Sequence, residues 1–105
     1  MKEIKDLNIL VDKATRKNKK CNFNSGNYTA QVTERLYHFV ITFMFQGKHF
    51  ATWDFIDEGE SIIVMYKLHD KKDALITAIK EAGYIQTIVC EDFGKEDKII
   101  ITATK

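Results

Sequence analysis

The sequence predicts a single α+β domain: an antiparallel or mixed sheet of about six strands with two helices, in the order α-β-β-β-β-α-β-β. Three observations carry that expectation. Apolar residues recur at helical spacing near the start of the chain and again around residues 75–82. Elsewhere the apolar period is two, broken by short turn-forming stretches. The 105 residues are enough for one core and too few for two, which sets one domain over 1–105.

Ile4, Leu7, Leu10, Val11 and Ala14 form one stripe with Lys and Asp on the other faces, so a helix is expected from about Lys2 to Lys17. The stretch "NKKCNFNSGN" that follows reads as a loop of turn formers. "YTAQVTE" alternates as a half-buried strand, and "RLYHFVITFMF" is apolar on both parities and needs cover on both faces. Gly47 and Lys48 then offer a two-residue hairpin loop. That register sets Phe45 opposite Phe50, Thr42 opposite Trp53, Val40 opposite Phe55 and His38 opposite Asp57. Trp53 and Phe55 thereby fall on the face away from Phe39 and Phe43, which makes both sides of the sheet aromatic.

After the turn "DEGE", the stretch "SIIVMYKL" is again apolar on both parities. Asp70 is the expected N-cap of a second helix, with Leu75, Ala78, Ile79 and Ala82 on its inner face and Gly83 at its end. "YIQTIVCED" and "KIIITAT" supply two last strands. The short joints around the helix suggest a βαβ crossover, hence the allowance for a mixed sheet. Two helices do not cover both faces of such a sheet, and the expectation is that an aromatic face meets a second copy or another protein.

Composition limits function. Sixteen basic and fifteen acidic side chains give a net charge of +1, unlike a domain whose whole surface binds nucleic acid. Only Arg16 and Arg35 carry the guanidinium fork that reads phosphate or guanine bidentately. The first residues are charged every few positions and show no signal core, and no run approaches a membrane span. With Cys21 and Cys90 far apart, neither a disulfide framework nor a zinc knuckle is expected. A cytoplasmic protein without membrane association is the default reading.

Charge is nonetheless polarised. Residues 1–20 hold seven basic and three acidic side chains, and residues 21–105 hold nine and twelve. Lys13, Arg16, Lys17, Lys19 and Lys20 form a candidate basic patch for nucleic acid, with Phe23 as a stacking ring. The same cluster is explained by a helix C-terminus, where each cation gains roughly 0.3 to 1 kcal/mol from the macrodipole. Cys21 beside Lys19 and Lys20 is a candidate reactive thiol, whereas Cys90 reads as a small packed hydrophobe. His38 with Asp57 is a cross-strand polar pair lacking a nucleophile or oxyanion site, so no catalytic, metal or cofactor residues are assigned.

The candidate protein interface combines Trp53 and Phe55 with the acidic turn residues Asp57, Glu58 and Glu60. "HDKKDALITAIKEAG" resembles the last helix of double-stranded RNA-binding domains in its opening lysines, Lys71 and Lys72. The strands around it and the near-neutral charge depart from that family, and its activity is not carried over. In size and lysine-rich composition the chain is similar to small accessory and inhibitor proteins of phages and mobile elements, including those that block host defence nucleases. That resemblance implies a non-enzymatic module binding a host protein. The alternatives are a nucleic-acid binder using residues 13–20, and a small-ligand binder or enzyme with a pocket between sheet and first helix.

Overall fold

The computed structural model describes residues 2–17, 21–36, 38–55, 60–92, 94 and 97–105. In chain order they form α1 (Lys2–Lys17), β1 (Cys21–Ser25), β2 (Tyr28–Glu34), β3 (Phe39–Phe45), β4 (Lys48–Phe55), β5 (Glu60–Met65), a 3-10 turn (His69–Lys71), α2 (Lys72–Glu81), β6 (Gln86–Asp92) and β7 (Lys98–Thr104). The strands make one seven-stranded sheet in the order β1-β2-β3-β4-β5-β7-β6. Every neighbouring pair is antiparallel. The α+β class and the element order are as expected, with one strand more.

The extra strand is β1, expected as loop because "CNFNS" is polar; it pairs with β2 as a short edge strand. The crossover through α2 does join strands that point the same way, since β5 and β6 are each antiparallel to β7. The slot between them is filled by β7, so no parallel ladder forms and the mixed alternative falls away.

The β3–β4 hairpin corrects the expected faces. Its loop is Gln46–Gly47, with φ of 50° and 82°, as a type I′ turn requires. Phe45 pairs with Lys48 and Met44 with His49, and a bulge then sets Phe43 opposite Ala51 and Ile41 opposite Trp53. Moving the loop shifts the register by two residues and preserves the faces; the inserted Phe50 shifts it by one and reverses them. Trp53 is therefore on the side of Phe43, with ring centroids 6.5 Å apart, and is 0% exposed. Trp53 thus joins Phe43 and Phe50 in one aromatic layer on the helix side.

Both helices lie on that side and close a single core. Leu7, Leu10, Val11 and Ala14 of α1 and Ala74, Leu75, Ala78 and Ile79 of α2 are buried in one cluster with Tyr28, Ile41, Phe43, Phe50, Trp53, Ile63 and Ile101. The indole N–H of Trp53 donates to Ser61 Oγ at 2.8 Å, which satisfies two buried polar groups at once. Tyr84 meets Trp53 edge-on at 5.2 Å.

Asp70 does not cap α2. It sits inside the 3-10 turn, which follows Leu68 in a left-handed conformation, and no side chain caps either start. The other end of α2 is as expected: Gly83, at φ 106°, donates to Lys80 O at 3.0 Å and Tyr84 N to Ile79 O at 3.3 Å, the paired bonds of a Schellman motif.

Candidate functional site

Strand parity separates the sheet into two unlike faces. Tyr28, Ala30, Val32, Ile41, Phe43, Ala51, Trp53, Ser61, Ile63, Met65, Ile99, Ile101 and Ala103 point toward the helices and are buried. The alternate residues, among them Val40, Thr42, Thr52, Val64, Ile100 and Thr102, are only half-buried, and none of those described is buried. Among the described residues, no layer covers this second face.

The uncovered face is apolar at one end and more polar at the other. Ile88, Thr102 and Ile62 lie in one cross-strand row, and Cys90, Ile100 and Val64 in the next. Ile88 is 65% exposed and Ile62 45%, with Thr102 of β7 between them and Ile100 diagonal to both. Toward β2 the face becomes more polar, with Gln31, Thr33, Thr42 and Thr52 around Val40 and Met44.

Acidic groups border the apolar end. A recess of about 270 Å³ is lined by His38, Asp54, Glu60, Ser61 and Ile62. His38 Nε2 lies 3.6 Å from Asp54 Oδ1, whereas its expected partner, Asp57, lies outside the described residues. The bulge again accounts for the approach of Asp54, since it brings Asp54 opposite Val40 and diagonal to His38.

The expected sites fare unequally. Trp53 belongs to the core and leaves the candidate interface; Glu60 is exposed at the recess, as a rim residue would be. Asp57 and Glu58 lie outside the described residues, as does the Phe55 side chain. In the basic patch, Lys13 is exposed on α1, Arg16 and Lys17 have only their helical backbone described, and Lys19 and Lys20 are outside. Cys90 is exposed rather than packed, because strand parity turns it onto the uncovered face. Ile62 and Ile88 were not singled out by sequence. The signal was present in "SIIVM" and "QTIVC", which carry apolar residues on both parities although one layer of helices covers only one.

The two lysines opening α2 are engaged within the chain. Lys71 lies 4.6 Å above the Phe45 ring, and Lys72 Nζ donates to Glu91 Oε1 at 2.7 Å, tying the helix to β6. The hydrogen bond to Glu91 holds the Lys72 ammonium above its ordinary pKa. A raised folded-state pKa contributes stability that is complete below the unfolded value, about 10.4, and is lost as pH rises through the folded one. The expected result is a small, salt-sensitive fall in Tm above about pH 10 that Lys72→Gln removes, followed by thermal unfolding across that range. On the uncovered face, burial raises the Tyr66 pKa, and the ring meets His49 edge-on at 5.0 Å. His49 Nε2 is 2.8 Å from Thr52 Oγ1.

Among the described residues, no three His, Cys, Asp or Glu side chains are placed to hold a metal ion. Among the same residues, no helix is long and apolar enough to cross a membrane. Comparison with protein-family models, with curated proteins and with solved structures found no match to this chain.

Proposed function

We propose that the chain is a non-enzymatic protein-interaction module that docks its partner on the uncovered sheet face. The observation behind this reading is the group Ile62, Val64, Ile88 and Ile100, apolar side chains contiguous across three strands with no layer over them among the described residues. Exposed apolar groups that sit together, rather than singly, mark association surfaces. The rim sets the chemistry of the partner: Asp54 and Glu60 are exposed beside Ile62, so a complementary surface has an aliphatic centre flanked by Lys or Arg. A small accessory or inhibitor protein of the phage type, blocking a host protein by occupying its surface, fits this description.

The test is affinity purification from host lysate at moderate salt, comparing the native chain with an Ile62→Lys/Ile88→Lys variant. Both side chains are exposed, so the fold is retained. A protein recovered in stoichiometric amount by the native chain should bind the variant at least ~30-fold more weakly, the loss of about 2 kcal/mol typical of an anchoring pair. Recovery of nucleic acid alone, released by salt and insensitive to the variant, overturns the proposal in favour of residues 13–20.

A further inference from the structure

The edge of the sheet at β6 carries only one of the devices that normally keep strand edges apart, the acidic pair Glu91 and Asp92 at its C-terminal end. Its seven residues, "QTIVCED", contain no Lys or Pro, and its pairing with β7 runs without a bulge. Ile88 and Cys90 are exposed on the uncovered face and Val89 is 37% exposed on the helix side, so the edge offers apolar side chains in both directions. The opposite edge, β1, is a five-residue polar strand that α1 packs against. The two edges do not match each other. An edge-to-edge contact of this chain therefore closes on itself at β6 instead of propagating from β6 to β1.

We infer that two copies of the chain pair antiparallel through β6, about a two-fold axis at Val89. In an antiparallel pair, directly opposed residues share a face, so a two-fold perpendicular to the sheet must pass through a residue. Val89 is the midpoint of Gln86–Asp92, and only an axis there engages the whole strand. Val89 then opposes Val89 of the second copy, Ile88 opposes Cys90, Thr87 opposes Glu91, and Gln86 opposes Asp92. No acid faces an acid. An axis at Cys90 sets Asp92 against Ile88 and Glu91 against Val89, and an axis at Glu91 sets two carboxylates face to face; an in-register parallel pair does the same with both acids. Glu91 is in addition already bonded to Lys72 of its own chain at 2.7 Å, so facing Thr87 leaves no unpaired charge.

The pairing joins two seven-stranded sheets into one and places the two uncovered faces side by side, with Ile88 of each copy against Cys90 of the other. One seven-residue strand buries less than a standard interface of about 1,600 Å², so the expected Kd is on the order of micromolar.

Sedimentation velocity from about 1 to about 500 µM brackets that affinity. The native chain should pass from monomer to dimer, and Val89→Lys, which sets ammonium against ammonium at the axis, should weaken dimerisation at least ~10-fold. The second measurement does not rest on loss of binding. In a Cys21→Ser/Cys90→Ser background, Val89→Cys should form a disulfide dimer on mild oxidation, because directly opposed Cα atoms about 4.5 to 5.5 Å apart suit the bond. Thr87→Cys in the same background should not, since residue 87 opposes residue 91. A chain that stays monomeric throughout overturns the inference, as does a dimer that resists Val89→Lys and gives no Val89→Cys cross-link. A monomer that still binds a foreign protein through Ile62 and Ile88 overturns the β6 pairing alone and leaves the proposed function standing.

Discussion

Trp53→Ala is expected to cost about 3 to 5 kcal/mol, a large share of the 5 to 15 that holds a domain of this size together. The indole is 0% exposed, stacks over Phe43 and meets Tyr84 edge-on, so its removal opens a cavity on which the central strands converge. It also strands the Ser61 hydroxyl, which accepts the indole N–H at 2.8 Å in the buried layer. Thermal unfolding followed by circular dichroism should show Tm lower by about 15 °C or more, or no cooperative transition. Trp53→Phe separates the two contributions, since it keeps most of the packing and loses the hydrogen bond, for about 1 to 3 kcal/mol. As the chain has a single Trp, native fluorescence reads the same face directly. Blue-shifted emission resistant to acrylamide is expected, and a water-exposed spectrum would overturn the register of β4.

How far the sequence led, and where it stopped, is clearest at that tryptophan. The strands on either side of Phe45 were legible from their alternation, and so was the presence of a hairpin between them. The inserted Phe50 was not. In a run that is apolar on both parities, a one-residue bulge leaves no break in pattern, because buried Phe50 and buried Ala51 both suit the core. The error carried into the site: it put Trp53 on the surface, and it left unforeseen the approach of Asp54 to His38. Two helices against many strands did imply incomplete cover, and the exposed part was expected to be aromatic. Its aliphatic character waited on the register, which decides whether Ile62 or Ile63 points outward. Strand β1 escaped notice for a different reason, as an edge strand under a helix end can be built from Asn and Ser with little apolar signal.

Gly26→Val is the second substitution expected to weigh heavily, at about 2 to 3 kcal/mol. Gly26 opens the β1–β2 turn with φ 60°, a conformation that β-branched residues resist. A side chain there also meets the carboxylate of Asp6, which α1 sets down directly on the turn; Ser25 Oγ donates to the same carboxylate at 3.5 Å. The new side chain therefore strains the hairpin and pushes against the helix above it. Combining Gly26→Val with Asp6→Gly divides the loss: the part that Asp6→Gly restores measures the helix contact, and the remainder is backbone strain. Chemical denaturation of the four species gives the cycle. If Gly26→Val alone leaves the midpoint unchanged, α1 does not dock on this turn.

The placement of β7 between β5 and β6 has a consequence for the chain as it is being made. Synthesis proceeds from the N-terminus, and domains begin to organise as they emerge. When residues 86–92 leave the ribosome, β6 has no neighbour to bond; β5, 21 or more residues earlier, is separated from it by a gap one strand wide. Both edges wait, with their N–H and C=O groups unpaired, until Lys98–Thr104 arrives and closes two ladders in one step. The nascent sheet is thus complete on one side and split on the other. A chaperone that holds extended apolar segments would find its binding site in that interval and lose it once the last strand is in place.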